Sequence, residues 1–226
     1  MAGITPGPRV RSTLILVPLV CLALALSAWA GERRVRVSEV FDGDTVRLTT
    51  GESLRLEGLD TPETAKDQVP AQYYAREAWQ RLRELVTGRE LTLELGRTPR
   101  DVHGRLLGRL RLPDGTEINE TLVADGLAFV FPHTDSDPAL LRRLLAAQRT
   151  AMDAGRGFWP RILALPAAAA PALGNRRSGR FFPQGCPEAR DVSVRNRVSF
   201  AGATEAFRAG FAPARPCGFW PGAGME

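Results

Sequence analysis

Lysine is almost absent from this chain. Lys66 is the only lysine among 30 basic residues in 226, so arginine carries nearly all of the positive charge. The formal net charge is +5, and the sequence pI is about 9.8. A single guanidinium group can bind two phosphate oxygens at once, so this positive, arginine-rich charge favours polyanionic partners. Biased genomic base composition is an alternative source of the same arginine excess.

Histidine and cysteine are also scarce, with two and three residues respectively. The segment after residue 174 holds Cys186 and Cys217 but no histidine. A zinc site needs about four such ligands, which excludes zinc in this segment. An even pair of cysteines in an exported protein instead predicts a disulfide.

One hydrophobic run lies near the N-terminus. Arg9 and Arg11 precede the apolar stretch Leu14–Leu26, and Ala28-Trp29-Ala30 follows it. This order predicts a signal peptide over residues 1–30, cleaved after Ala30, and a secreted or periplasmic protein. The alternative is a retained membrane anchor, because ~17 apolar residues approach spanning length.

Alternating apolar and polar residues predict five strands. Residues 33–59 have the pattern of a three-stranded meander, with turns at Asp42-Gly43-Asp44 and Thr50-Gly51-Glu52. Leu91 to Leu95 predicts a fourth strand, and Leu106 to Leu112 a fifth.

Helical periodicity predicts three helices. The first follows Ala71 and stops before Gly88, and the second covers Ile118 to Asp125. The third begins after Ser136-Asp137, with Pro138 in its first turn. We therefore expect an α+β, mainly β fold: a five-stranded barrel of OB-fold type with three helices and a short C-terminal appendage.

Composition divides the chain beyond the signal peptide into three parts. Residues 31–162 carry the barrel pattern, and residues 163–174 are rich in alanine and proline, as in a linker. Residues 175–226 form a small basic segment that we expect to need its disulfide, since it is too short for a large core.

Three polar clusters offer groups suited to phosphodiester chemistry. They are Asp42-Gly43-Asp44-Thr45, then Arg55 with Asp60-Thr61-Pro62-Glu63, and then Asp101–Arg105. Carboxylates hold a hard divalent cation, and arginines stabilise negative charge on a phosphate. Each cluster taken alone is equally typical of an ordinary turn.

Together, the clusters and their neighbours resemble the staphylococcal nuclease family, also called the micrococcal nuclease or thermonuclease family. The similarity runs from about Val35 to Pro160. The segments are, in order, "FDGDTVRL", "LRLEGLDTPE", "YYAREA", "DVHGR", "INETLVADGLA" and "GFWP". The resemblance implies a calcium-dependent endonuclease that hydrolyses DNA and RNA with little sequence specificity.

The resemblance also implies roles for individual residues. Asp44, Asp60 and the carbonyl of Thr61 are expected to bind Ca²⁺, and Asp42 lies near the ion or is merely a turn residue.

Arg55 and Arg105 are expected to bind the phosphate. Glu63 is expected to act as general base or to position the attacking water, and the two roles stay open.

Further residues are candidates for substrate binding. His103 replaces a tyrosine that the family often has before the Gly-Arg pair, and it contacts the substrate or is an exposed bystander. Arg176 and Arg177 add phosphate contacts or form a solvated basic face. We expect a monomer, no protein partner is implied, and a membrane is involved only through the export segment.

The alternative function is a nucleic-acid-binding module on the same barrel without catalysis. The complete set of acidic residues, glutamate and arginines favours the enzyme.

Overall fold

The computed structural model describes Gly3, residues 32–132 and residues 135–223. Apart from Gly3, the predicted signal peptide lies outside the described residues. Among the described residues, no helix is long and apolar enough to cross a membrane. The described residues from Arg33 onward form one compact unit.

A six-stranded sheet forms the first layer of the fold, in the order β1-β6-β7-β4-β3-β2. Its strands are β1 (Glu32–Val35), β2 (Val37–Val40), β3 (Thr45–Leu48), β4 (Ser53–Leu56), β6 (Leu91–Arg100) and β7 (Leu106–Arg111). The pairs β2–β3, β3–β4 and β6–β7 are antiparallel, and β4 and β7 run parallel. Leucine and valine side chains from these strands form one buried core.

The edges of this sheet belong to one stretch of chain. Strands β1 and β2 are separated only by Arg36, yet they lie at opposite ends of the strand order. The sheet therefore curves round on itself, as sheets do when they close towards a barrel.

The strand count differs from the five expected. The first predicted strand is divided at Arg36 into β1 and β2, and β6 continues five residues beyond Leu95 to Arg100. Pairing of β6 with β7 shifts register between Leu95 and Arg100. The alternation of apolar and polar residues stops at this irregularity, although the strand continues.

The three predicted helices are present as α1 (Ala75–Val86), α2 (Ile118–Ala124) and α3 (Pro138–Asp153). The side chain of Asp137 caps α3 by accepting a hydrogen bond from the Ala139 N–H at 3.0 Å. Three short helices lie outside the periodic segments. They are α4 (Trp159–Leu163), α5 (Pro166–Ala169) and α6 (Ala203–Arg208).

The segment predicted as a linker is folded. Residues 163–174 include α5 and most of strand β9 (Ala172–Asn175), and Ala168 and Ala172 are buried. A Cβ on Gly202 would lie 2.5 Å from the Ala168 carbonyl oxygen. The small residues therefore allow close packing. An alanine- and proline-rich composition fits a closely packed segment as well as a flexible linker, so it does not distinguish the two.

The C-terminal segment forms a second sheet, of order β11-β9-β10-β12. Its other strands are β10 (Arg180–Pro183), β11 (Arg197–Phe200) and β12 (Ala212–Pro213). Phe181 and Phe207 of this segment share a buried aromatic core with Phe129, Phe158 and Trp159 of the preceding region. The segment thus completes a core rather than standing apart.

Two further links fix the segment. Gln148 is fully buried, accepts from the Val130 N–H at 2.7 Å and donates to the Phe207 carbonyl at 2.6 Å. A disulfide joins Cys186 to Cys217 over a sequence separation of 31 residues. A loop of that length corresponds to about 3–4 kcal/mol of stabilisation in the chain-entropy account.

Candidate active site

Asp44 is held in a tight turn between β2 and β3. Its N–H donates to Asp42 Oδ1 at 2.9 Å. A Cβ on Gly43 would lie 2.7 Å from the Ala78 Cβ and 2.8 Å from the Thr61 hydroxyl oxygen. Glycine is therefore needed here, because the turn presses against helix α1 and against the second acidic segment.

Asp60 is placed by a short strand pair. Strand β5 (Leu59–Asp60) pairs with β8 (Phe129–Val130), which fixes the backbone of Asp60. The next residue, Thr61, donates to Asp44 Oδ2 through both its N–H and its hydroxyl, each at 3.1 Å. Asp44 and Asp60 are 2% and 1% exposed, so the chain buries two carboxylates side by side.

Arg55 joins these two carboxylates. It lies on β4 directly opposite Thr45 of β3, and it is 7% exposed. Its Nη1 donates to Asp44 Oδ1, and its Nη2 donates to Asp60 Oδ1 at 2.6 Å. A planar guanidinium suits this double contact, since each nitrogen faces one acceptor.

Glu63 lies at the rim of the same cluster. Its backbone N–H donates to Gln72 Oε1 at 2.8 Å, while its side chain remains 43% exposed. Asp60, Thr61 and Glu63 line one small pocket. A carboxylate at this position reaches both solvent and the buried pair.

Arg105 occupies the turn before β7. Its Nε donates to Asp101 Oδ2 at 2.7 Å and its N–H to Asp101 Oδ1 at 2.9 Å. The structure thus groups Asp44, Asp60, Thr61, Arg55 and Glu63, and it pairs Arg105 with Asp101.

Two further arginines belong to the site, although the sequence does not place them there. Arg180 donates to Asp60 Oδ2 through both Nη atoms at 3.3 Å, and its guanidinium stacks 3.6 Å from the Phe131 ring centroid. Arg215 donates to Asp60 Oδ1 at 2.8 Å and contacts Glu63 Oε1 at 2.5 Å. Both come from the C-terminal segment, which folds back onto the acidic pair.

The two buried carboxyls differ in proton affinity. Burial is the largest influence on Asp44 and raises its pKa to about 7, with Asp42 and Asp60 acting in the same direction against the attraction of Arg55. Burial also disfavours charge on Asp60, but Arg55, Arg215 and Arg180 outweigh it and lower the pKa of Asp60. Asp60 is therefore the firmly ionised member.

Arg55 remains charged in this setting. Burial alone would lower the pKa of Arg55, but the adjoining carboxylates of Asp44 and Asp60 more than offset burial and raise it. The Glu63 carboxyl has a raised pKa, mainly because of burial, and Arg215 opposes this effect.

The donor set suits a hard divalent cation. Asp44 and Asp60 can supply carboxylate oxygens and Thr61 a backbone carbonyl oxygen, which are the kinds of ligand that Ca²⁺ prefers. Within the described part of the chain, Cys186, Glu188 and Cys217 are also close enough to hold a metal. Their sulfurs are bonded to each other, however, so that cluster is not a metal site.

The remaining sequence candidates lie nearby on the surface. His103 is exposed in the turn of Asp101–Arg105, and its N–H donates to Asp101 Oδ1 at 2.9 Å. Arg176 and Arg177 are exposed in the turn between β9 and β10. Both arginines line an open groove of about 670 Å³ together with Val102, the neighbour of His103.

Comparison with known proteins identifies the family of this chain. Residues 53–161 match the family model described as "Staphylococcal nuclease homologue". An "Uncharacterized endonuclease" of Escherichia coli is 30% identical over 146 residues, which are 63% of this chain and 88% of that protein. The "Thermonuclease" of Staphylococcus intermedius is 34% identical over 130 residues, 55% of this chain and 75% of that protein.

A "Thermonuclease" of Staphylococcus hyicus is 33% identical over 137 residues, covering 58% of this chain and 78% of the relative. These matches span most of each relative. The chain therefore belongs to the staphylococcal nuclease homologue family.

Proposed function

We propose that this protein is an exported, calcium-dependent endonuclease that hydrolyses phosphodiester bonds of DNA and RNA with little sequence specificity. The observation that carries the proposal is the joining of buried Asp44 and Asp60 through one Arg55 guanidinium, with Glu63 beside them. Burying this many charges is costly. Such an arrangement is typical of a functional site rather than of a stabilising one.

The proposed fold of the catalytic part is the five-stranded barrel of OB-fold type. Counting β1 and β2 as one bent strand reduces the six strands of the main sheet to five. Helices α1 to α3 are then the three helices that accompany the barrel.

Each residue of the cluster has a definite task in this proposal. Asp44, Asp60 and the Thr61 carbonyl hold a calcium ion, which when bound supplies positive charge that neutralises the substrate phosphate. Arg55 offers N–H groups to the phosphate oxygens as negative charge builds up on them, and Arg105 does the same from the 101–105 turn. Glu63 accepts a proton from the attacking water or holds that water in line.

The open groove beside the site is the proposed path of the nucleic-acid strand. Arg100, Arg176 and Arg177 line it, Arg100 as an ion pair with Glu52 and the other two as exposed arginines. His103 follows Val102, which lines the groove, and it is the candidate for contact with a base. Backbone contacts of this kind bind without reading sequence.

Calcium removal is expected to abolish catalysis. Purified protein should degrade plasmid DNA and single-stranded RNA in the presence of calcium and stop when excess chelator is added. The measurement is gel-based degradation with a fluorescence-anisotropy binding assay run in parallel. Retained binding without degradation in calcium would instead identify a non-catalytic binding module.

The export proposal has its own test. The paired cysteines Cys186 and Cys217 suit an oxidising compartment. We expect the protein recovered outside the cytoplasm to begin at Gly31 when its intact mass and N-terminal sequence are determined. A recovered chain that keeps residues 1–30 would point to a retained anchor.

A further inference from the structure

The C-terminal segment sends two arginines into the candidate active site from far along the chain. Arg180 and Arg215 lie 120 and 155 residues after Asp60. Nothing in the roles proposed above accounts for either side chain. Both point at the carboxylate expected to hold the cation.

The oxygens of Asp60 are fully engaged. Oδ1 accepts from Arg55 at 2.6 Å and from Arg215 at 2.8 Å, and Oδ2 accepts two contacts from Arg180 at 3.3 Å. A carboxylate offers about four lone-pair sites. A cation that binds to Asp60 at about 2.3–2.6 Å must therefore displace at least one of these donors.

Arg215 is the donor that is easiest to displace. The side chain of Arg55 is 8% exposed and also holds Asp44. That of Arg180 is 17% exposed, stacks on Phe131 and donates to the Pro213 carbonyl at 3.0 Å. The side chain of Arg215 is 52% exposed, so it loses the least when it turns to solvent.

The backbone of Arg215 is nevertheless fixed. It begins the short helical turn Arg215–Cys217, which the disulfide ties to Cys186. The residue before it, Ala214, donates its N–H to the Phe181 carbonyl at 2.8 Å. Only the side chain has freedom to move, so the guanidinium stays within reach of the site.

On the basis of the function proposed above, we propose that Arg215 is an active-site residue supplied by the C-terminal segment. Its guanidinium is the counter-ion that the divalent cation replaces at Asp60. The same side chain contacts Glu63 at 2.5 Å. Displacement by the cation therefore frees the candidate base at the same step, so that metal binding and release of Glu63 are coupled through one residue.

The test is calcium affinity, measured by calorimetric titration of chelator-stripped full-length protein with calcium chloride. Arg215→Ala removes the competitor and is expected to tighten calcium binding roughly tenfold, the lower end for a charge-assisted hydrogen bond that is half exposed. Arg215→Lys keeps the positive charge but lacks the paired N–H donors of a guanidinium. Its calcium affinity should lie between that of the wild type and that of Arg215→Ala. The matched control is Arg190→Ala, an exposed arginine of the same segment, which should bind calcium like the wild type.

The outcomes separate this inference from the proposed function. Tighter binding by Arg215→Ala supports the counter-ion role, including the case in which only the variant binds measurably. If folded Arg215→Ala binds calcium no more tightly than the wild type and its KM for DNA is raised, the counter-ion role is overturned, and Arg215 instead contacts the substrate phosphate. Absence of calcium binding in every variant contradicts the proposed function and this inference with it, whereas calcium-dependent cleavage with unchanged affinity contradicts the inference alone.

Discussion

Replacing Arg55 with alanine is expected to lower the nuclease rate by about 10²–10³-fold, the usual cost of losing one donor to transition-state charge. The variant should also unfold more easily. Arg55 is the shared partner of Asp44 and Asp60, both almost fully buried. Removing one partner from a buried ion pair costs about 3–5 kcal/mol because the other charge is left uncompensated.

The stability effect has a measurable size and pH dependence. For a domain of this length, 3–5 kcal/mol corresponds to a fall in Tm of roughly 6–20 °C. The pKa of Asp44 is raised to about 7 even with Arg55 present. In the variant, Asp60 keeps Arg180 and Arg215, whereas Asp44 loses its arginine. Acidification neutralises Asp44, so the loss of stability should be smaller at pH 5 and larger at pH 8.

Two further variants identify the cause. Arg47→Ala removes an exposed arginine from the adjacent strand β3, which contacts Glu39 at 3.3 Å and lies over the Phe41 ring. It should change stability by only about 1 kcal/mol, because both contacts are at the surface. Arg55→Lys keeps the positive charge but can contact only one of the two carboxylates. Its Tm and rate should therefore lie between those of Arg55→Ala and those of Arg47→Ala. Wild-type Tm and rate in Arg55→Ala would contradict both parts of the prediction.

The sequence predicts the elements whose signals are local. Helices α1 to α3 follow from apolar spacing within each segment and, for α3, from the Asp137 cap. The strands of the main sheet follow from alternation, except where Arg36 divides one strand and where the register of β6 shifts. Both failures occur at irregularities, which have no period to detect.

The C-terminal fold is invisible to the same reasoning. Phe181 and Phe207 share a buried cluster with Phe158 and Trp159, which come from an earlier part of the chain. Their burial depends on contacts between distant segments, and no window of sequence contains both sides. For the same reason composition misidentifies residues 163–174 as a linker.

The candidate site divides in the same way. The resemblance singles out Asp44, Asp60 and Glu63, which lie in two short motifs of the sequence. Their close approach depends on the pairing of β5 with β8, two strands of two residues each, which are too short to give a periodic signal. The contacts of Arg180 and Arg215 depend on the C-terminal fold and could be found only from the structure.

Replacing Glu63 with glutamine is expected to lower the rate by about 10²–10⁴-fold, the range for loss of a general base. The fold should survive, because the side chain is 43% exposed and the contact with Gln72 uses the backbone N–H. Circular dichroism and Tm check the fold, and steady-state kinetics on DNA gives the rate. Glu77→Gln, an exposed glutamate on α1, is the matched control and should retain wild-type kinetics.

The pH profile and a second substitution distinguish a base from a water-positioning group. A base must be unprotonated, and burial raises the pKa of Glu63. The wild-type rate should therefore fall on acidification through a pKa above the usual range for glutamate. Glu63→Gln should lose the part of that fall that belongs to Glu63, whereas protonation of Asp44 still lowers the rate of the variant. If Glu63 takes the proton, Glu63→Gln and Glu63→Ala are equally impaired, since neither side chain accepts it. If Glu63 only orients water, glutamine retains a hydrogen bond to it and the rate of Glu63→Gln clearly exceeds that of Glu63→Ala.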